Sequence, residues 1–236
     1  MTGADCAIEP LGESALLLRF GSIIDRALND RVHATAAALW AAALPGVEDI
    51  APAYASLLLR FDPRRWPDAS QLVAAVREVL ARTEAGAGDA EPAGTAVVEL
   101  PVCYGGEHGP DLAEVAALSG LAAAAVIARH VAGDYRVAML GFAPGFAYLL
   151  GLDPKLAVPR LSSPRLRVPA GSVAIGGAQT GVYPSVLPGG WRLIGRTPLR
   201  LFDPARAPPA RLAPGQHVHL RAIDAATYAA LSEHDA

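Results

Sequence analysis

The sequence predicts two domains, a small α+β domain of ferredoxin-like type over residues 1–90 and a mainly β domain over residues 96–236. Three observations predict this division. The stretch from Arg82 to Thr95 reads RTEAGAGDAEPAGT, which is the small, polar, Gly- and Pro-containing composition of a linker. Before it, helical patterns alternate with short apolar strands. After it, short apolar runs are separated by turn residues, in a chain with 23 glycines and 20 prolines.

The first domain follows most of the element order of a ferredoxin-like unit. Its predicted elements are, in order, a strand at Ser14–Phe20, a helix within Asp25–Leu44 that Pro45-Gly46 ends, a hairpin of Val47–Ala51 with Ala55–Phe61, a helix from Asp68, and a final strand that Ala96–Val102 could supply. The second helix carries an apolar stripe that begins at Leu72 and ends at Leu80. We therefore expect both helices to cover the sheet.

The second domain is predicted to begin with one strand and two helices. Val97–Val102 is the strand, and Cys103–Pro110 (CYGGEHGP) is a Gly-rich loop. Asp111 with Glu114 is a variant of the capping box that starts a helix, which Gly120 breaks before a second helix runs to about residue 130. The spacing is that of a helix-turn-helix, but the second helix has little that could hydrogen-bond a base edge. A helical hairpin covering a sheet end is favoured.

Beyond this pair, the chain consists of short apolar runs separated by Gly and Pro, namely YRVAMLGF, SVAIGG, WRLIGRTPLRLF and HVHLRAI. Such spacing is typical of a β-barrel or a β-sandwich. Asp224 opens a short terminal helix. Asp62, Asp153 and Asp203 each precede a proline after an apolar segment, which predicts three turns.

Composition excludes several classes of function. The net charge of −3 makes nucleic acid a poor partner. Cys6 and Cys103 are far apart in the sequence, so a disulfide scaffold is excluded. Two separate cysteines are consistent with a protein of a reducing compartment. We see no signal peptide, and the longest apolar run, Ala34–Leu44, is too short to span a bilayer. The expectation is a cytoplasmic protein without nucleic acid or membrane partners.

Common catalytic motifs are absent from the sequence. The single lysine, Lys155, does not follow a Gly-rich loop, so there is no Walker A motif, and no GxSxG nucleophile elbow occurs. His217 and His219 would share one face of a strand, but two ligands do not define a zinc site, and no metal site is predicted. No general base can be named, and His130 is a weak candidate for a catalytic residue.

The residues with a chemical signal lie between Tyr135 and Pro204. Aromatic and turn residues predict the wall of an apolar pocket, formed by Phe142, Pro144, Gly145, Phe146, Tyr148 and Trp191. Arginines and polar residues of Gly-rich turns predict a site for an anion, formed by Arg165, Arg167, Gln179, Thr180, Arg192 and Arg196. The alternatives are a protein interface, or ordinary surface arginines in turns.

Several long motifs, in this order, carry a resemblance to a known family: GEHGPDLAEVA, YRVAMLGFAPGFAYLLGLDP, PRLRVPAGSVAIGGAQTGVYP and PGGWRLIGRTPLRLFDP. The first domain adds PLGESALLLRFG, the N-x-RV at Asn29–Val32 and Y-x-SLLLRFDP from Tyr54. Over nearly its whole length the chain resembles the allophanate hydrolase subunit 1 / KipI family, which includes a subunit of prokaryotic 5-oxoprolinase. Leu150 and Ala178 stand where the family usually has glycine, which are mild departures.

The resemblance implies a small α+β domain, a cyclophilin-like β-barrel domain and partner subunits. These partners are an allophanate hydrolase subunit 2 homologue (PxpC-like) and a metal-dependent LamB/YcsF-type subunit (PxpA-like). Together they would hydrolyse 5-oxoproline to glutamate with ATP, and this chain would be inactive alone. Two alternatives remain: a KipI-like inhibitor of a histidine kinase, and a subunit of an allophanate hydrolase or urea amidolyase-type complex.

Overall fold

A computed structural model describes residues 6–85 and 97–234 of the chain. The chain divides into two compact units, residues 1–95 and residues 96–236. The first unit is a four-stranded antiparallel sheet with two helices, and the second is built on a closed β-barrel. The mixed α+β composition and the barrel are therefore confirmed, and of the two β architectures that the sequence allowed, the barrel is the one found.

The first unit has the strand order β1-β2-β4-β3. Its elements are β1 (Ala7–Pro10), β2 (Ala15–Arg19), α1 (Arg26–Ala42), β3 (Val47–Pro52), β4 (Ser56–Phe61) and α2 (Ala69–Ala85). Alternation along the central strands turns Leu16, Leu18, Leu57 and Leu59 to one face, where they are fully buried. The helices cover this face with residues such as Val32 and Leu72, in one apolar core.

Two predictions about this unit are wrong. Ala96–Val102 does not supply the fourth strand of the sheet, because Val98 onward belongs to the barrel of the second unit. The fourth strand is β1, whose short sequence AIEP is mostly exposed and shows no apolar alternation. The predicted linker also starts too early, since residues 82–85 belong to α2, while residues 86–95 lie outside the described part of the chain.

The barrel of the second unit closes in the order β10-β7-β6-β13-β5-β12-β9. Its strands are β5 (Val98–Tyr104), β6 (Tyr135–Leu140), β7 (Ala147–Leu150), β9 (Ser172–Gly176), β10 (Gln179–Val182), β12 (Arg192–Arg196) and β13 (His217–Ile223). A separate antiparallel ribbon pairs β8 (Arg165–Val168) with β11 (Leu187–Gly189). The interior is filled by aliphatic side chains, among them Leu100, Val137 and Ile175. The first and last strands of the barrel, β5 and β13, run parallel to each other.

The predicted helical pair is α3 (Leu112–Ser119) and α4 (Ala123–Val131), and a terminal helix α5 covers Ala225–His234. Gly120 ends α3 in the left-handed conformation, with φ of 67°. Leu112, Val115 and Val126 are buried, so this is a helical hairpin packed on the barrel. In the described residues no single helix is long and apolar enough to cross a membrane. Together α3 and α4 have the length and apolar composition of a membrane-crossing segment, but the pair is bent by 92° between the two helices.

The three predicted Asp-Pro turns are confirmed. In each, the aspartate side chain accepts a hydrogen bond from the backbone N–H two residues later: Asp62 from Arg64 at 3.0 Å, Asp153 from Lys155 at 2.9 Å and Asp203 from Ala205 at 2.9 Å. The side chain of Asp224 likewise accepts from the Thr227 N–H at 2.7 Å, at the start of α5. These aspartates therefore have structural roles.

Candidate functional site: an aromatic groove around Arg160

An open groove of about 370 Å³ lies on the second unit, between β7, the loop that follows it and the turn after β11. Its side chains are mostly aromatic, and Arg160 is the cation among them. The lining residues that matter for its chemistry are Phe142, Phe146, Tyr148, Arg160, Tyr183 and Trp191. Four of these were predicted as pocket wall from the sequence. A groove of this size is within the range of small-molecule sites, about 300–1,000 Å³.

Phe146 holds the aromatic rings of the groove together. It is nearly fully buried, and its ring meets those of Tyr183 at 5.0 Å and Trp191 at 5.9 Å, both edge-to-face. Edge-to-face pairs are stabilised by the opposite charge distribution of ring edges and faces. Gly176 makes room for Trp191, because a Cβ there would lie 2.5 Å from the indole ring. The glycine of β9 therefore allows the indole to lie directly against the strand.

Phe142 forms the exposed rim of the groove. Its side chain is 62% exposed, and its φ of 69° places a bulky residue in the left-handed region. That conformation is rare for a residue with a large side chain, and it is held here by two turn hydrogen bonds, from the N–H of Ala143 to Gly141 and from the N–H of Phe146 to Ala143. Strained backbone and an exposed aromatic ring at one position are typical of a binding loop.

Arg160 is a candidate functional residue that no sequence pattern indicated. Its guanidinium lies 5.8 Å from the centre of the Trp191 ring, and its Nη2 donates a hydrogen bond to Gln179 Oε1 at 3.3 Å. Over residues 6–85 and 97–234, no carboxylate lies within ion-pair distance of Arg160. Arg160 follows a proline in a segment without regular structure, so no strand or helix pattern draws attention to it.

Arg165, predicted to bind an anion, is already neutralised inside the fold. Its Nη2 donates to Asp111 Oδ1 at 2.7 Å, and the other oxygen of this carboxylate accepts from the Leu193 N–H at 2.7 Å. Asp111 stands before α3, as predicted, but its side chain makes no cap to the helix. The capping-box interpretation is wrong, because the carboxylate instead joins the start of α3 to β8 and β12.

The remaining predicted arginines also lie outside the groove lining. Arg192 is buried, forms an ion pair with Glu114 and donates from Nε to the carbonyl of Pro159 at 2.9 Å. Arg167 is exposed on β8. Arg196 lies at the end of β12, and its buried Nε has no hydrogen-bond partner in the described part of the chain. Pro144 and Gly145 shape the loop without lining the groove, since Gly145 packs against Phe202.

His130 and Thr180 belong to a buried chain of hydrogen bonds on the barrel. The Tyr104 hydroxyl lies 2.8 Å from His130 Nδ1, and His130 Nε2 lies 3.1 Å from Thr180 Oγ1. Because Thr180 Oγ1 donates its proton to the Ala174 carbonyl at 2.9 Å, it must accept from His130 Nε2, and Nδ1 then accepts from Tyr104. Complete burial lowers the pKa of His130 to about 3. The imidazole is therefore neutral and enclosed.

The tyrosines of the groove keep their protons at neutral pH. Burial raises the pKa of Tyr148, and it does the same for Tyr183. Both side chains therefore offer hydroxyl groups rather than phenolates. Within the described residues there is no group of three or more His, Cys, Asp or Glu side chains that could hold a metal ion. His217 and His219 each lie near a carboxylate instead, Asp134 at 3.7 Å and Glu99 at 3.9 Å.

Comparison with known proteins places the chain in a family. The family model "Carboxyltransferase domain, subdomain C and D" matches residues 6–212, and the chain belongs to this family. Among individual relatives, it is 46% identical to the B subunit of 5-oxoprolinase from Bacillus subtilis (strain 168), over 96% of both chains. It is 55% identical to the corresponding 5-oxoprolinase component of Escherichia coli O157:H7, over 51% of this chain and 56% of the relative. The resemblance that the motifs indicated is confirmed.

Solved structures agree with this assignment. The chain superimposes on TTHA0988 with a TM-score of 0.75 and 40% identity, covering 89% of this chain but 40% of that longer chain. A conserved uncharacterized protein from Pyrococcus horikoshii, PH0987, is 44% identical with a TM-score of 0.56, covering 94% of this chain and 100% of that chain. The urea amidolyase of K. lactis, at 16% identity and a TM-score of 0.75, shares the fold; the match covers 97% of this chain and 15% of that one.

Proposed function

We propose that this chain is the B subunit of an ATP-dependent 5-oxoprolinase, which hydrolyses 5-oxoproline to glutamate together with partner subunits. The observation that carries the proposal is the 46% identity to the B subunit of the Bacillus subtilis 5-oxoprolinase over 96% of both chains. A match of this extent leaves no large part of either chain unaccounted for. The proposed partners are an allophanate hydrolase subunit 2 homologue and a LamB/YcsF-type subunit.

The chemistry of the groove supports a binding role rather than catalysis by this chain alone. Among the described residues, its lining consists of aromatic rings, Leu161, proline, glycine and Arg160, with no carboxylate, histidine, cysteine or lysine. Opening a lactam needs an activated carbonyl oxygen and a delivered water, and phosphate on that oxygen would make the carbonyl carbon easier to attack. Groups for these steps would come from the partner subunits. We therefore expect the isolated chain to be inactive.

ATP is proposed to bind to a partner subunit. A triphosphate needs several cations or a Gly-rich loop at a helix N-terminus, with backbone N–H groups directed at the phosphates. The groove offers Arg160 as its cation, and two of the arginines predicted for an anion, Arg165 and Arg192, are paired with carboxylates. These residues fit a ligand with one negative charge better than a nucleotide.

The proposal is tested by reconstitution. The chain is co-expressed with the two proposed partners, and glutamate release from 5-oxoproline is measured with and without ATP, with each subunit omitted in turn. The expected result is ATP-dependent glutamate release that needs all three chains. A chain that forms no complex, and that instead blocks autophosphorylation of a histidine kinase, would contradict the proposal and support the inhibitor alternative.

The finer classification of the two units is part of the same proposal. We assign the sheet with two helices to a ferredoxin-like domain within residues 1–90 and the barrel to a cyclophilin-like domain within residues 96–236. The packing of both helices in one core with the four-stranded sheet supports the first assignment, and the closed seven-stranded barrel supports the second. Expression of residues 96–236 alone, followed by circular dichroism, would test whether the barrel folds independently.

A further inference from the structure

We propose that the aromatic groove is the binding site for 5-oxoproline, with the carboxylate on Arg160 and the lactam ring between Trp191 and Phe142. This inference rests on the proposed function and names the place where the substrate binds. It predicts that the groove recognises a small cyclic amide that carries one carboxylate. Three properties of the described residues carry it: the charge of the groove, the support of Arg160, and the apolar aromatic rings beside it.

The charge of the groove is set by Arg160. Arg165 and Arg192 have partner carboxylates in Asp111 and Glu114, whereas Arg160 has none over residues 6–85 and 97–234. Its guanidinium lies over the Trp191 ring, 5.8 Å from the ring centre. Stacking of this kind leaves the edge of the guanidinium available for a carboxylate, which it can bind through two parallel hydrogen bonds.

Arg160 is held in place by the same hairpin that supports the indole. Gln179 accepts the hydrogen bond from Arg160 at 3.3 Å, and it pairs in the β9–β10 ladder with Gly176, the residue against which Trp191 packs. The β9–β10 hairpin therefore fixes the Arg160 guanidinium and the Trp191 ring relative to each other. Gln179, predicted as an anion-binding residue, is in this interpretation a positioning residue that acts through Arg160.

The rest of the groove suits a small ring with apolar carbon atoms. The methylene groups of a lactam can pack against the faces of Trp191 and the exposed Phe142, and burial of apolar carbon against aromatic rings is favourable.

The experiment compares arginine variants in the reconstituted three-subunit complex. Arg160→Ala should raise the KM for 5-oxoproline about tenfold or more, because a charge-assisted contact is lost, while kcat changes little. Arg160→Lys should recover part of the loss. Arg221→Ala is the matched control, since Arg221 is an exposed arginine of the same unit whose partner is Glu99 on the neighbouring strand, and its KM should stay at the wild-type value.

Two further measurements separate ligand binding from a structural effect. 2-Pyrrolidone, which has the lactam but no carboxylate, should inhibit wild type and Arg160→Ala with the same inhibition constant. Gln179→Ala should raise the KM a few-fold in the wild-type background and have no added effect in Arg160→Ala, as expected for a residue that acts through Arg160. Additive effects of the two substitutions would overturn the positioning role of Gln179.

The outcomes distinguish this inference from the proposed function. If the wild-type complex releases glutamate from 5-oxoproline and Arg160→Ala keeps its KM, the groove assignment is wrong and the function stands. If Trp191→Ala separates the subunits while the barrel stays folded, the groove is an interface with a partner and the assignment is again wrong. If the assembled wild-type complex does not act on 5-oxoproline, the proposed function fails and the assignment falls with it.

Discussion

Acid should destabilise this protein through the enclosed imidazole of His130. Burial lowers its pKa to about 3 in the folded protein, whereas an unfolded histidine titrates near 6.5. Below about pH 6.5 the unfolded chain therefore takes up a proton that the native chain does not. The free energy of unfolding falls as the pH falls, by about 1.4 kcal/mol per pH unit, until the native imidazole is itself protonated near pH 3.

The contribution of this one residue is isolated by comparing wild type with His130→Gln, which keeps hydrogen-bonding groups but cannot be protonated. Urea unfolding is followed by far-UV circular dichroism for both proteins at pH 6 and at pH 4. Other titrating groups are common to the two and cancel in the difference. With pKa values of 3 and 6.5, the stability of wild type relative to the variant should decrease by about 2.5 kcal/mol between these two pH values.

The result that would refute this reasoning is a stability difference that stays the same at both pH values. A constant difference would mean that His130 binds protons equally in the folded and unfolded states. The imidazole would then be accessible to solvent, and the chain from Tyr104 through His130 to Thr180 would not be closed. The variant alone should be less stable at pH 6, because the geometry of the two hydrogen bonds is not fully reproduced.

Three further predictions concern stability. Arg165→Ala leaves the buried carboxylate of Asp111 without its cation, and we expect a loss of about 2–3 kcal/mol in thermal or urea unfolding; an unchanged midpoint would contradict this role. Gly109→Ala should prevent or strongly weaken folding, because a Cβ would overlap a carbonyl of β12. Gly106→Ala has open space around it and should lower the free energy of unfolding by about 1 kcal/mol because of its φ of 53°. Thermal melting of the two variants is followed by circular dichroism, and similar melting curves would contradict this prediction. Phe142→Gly should melt at a higher temperature than Phe142→Ala, because both variants lose the ring contact with Phe146 but only glycine relieves the left-handed φ of 69°; equal melting temperatures of the two variants would mean that the backbone there is not strained.

Much of the fold was predictable because its signals are local. Helix α1 begins after Asp25, whose side chain accepts from the Leu28 N–H at 2.9 Å, and the hairpin of β3 and β4 is formed by the two short segments predicted on either side of Pro52. The errors concern one strand without an apolar pattern, β1, and the pairing of a strand that was predicted. Residues 98–104 form a strand, but its partner β13 is more than a hundred residues away, and no local pattern specifies such pairing.

The candidate site was predictable in its aromatic part and not in its charge. Phe142, Phe146, Tyr148 and Trp191 stand among turn residues, and that composition alone predicts a pocket wall. Whether an arginine is available to a ligand depends on whether a carboxylate reaches it in three dimensions. Asp111 lies 54 residues before Arg165 in the sequence, so this pairing, and with it the distinction between Arg165 and Arg160, emerges only from the fold.

The parallel pairing of β5 with β13 has a consequence for how the protein is made. The strands of the first unit that the structure describes all lie within residues 7–61, so their sheet can assemble while the ribosome is still translating the second unit. The barrel cannot close until residues 217–223 are synthesised, because they form β13, which lies between β5 and β6. Until then the nascent chain displays two open strand edges, and this interval is when it is most exposed to aggregation and most dependent on chaperones.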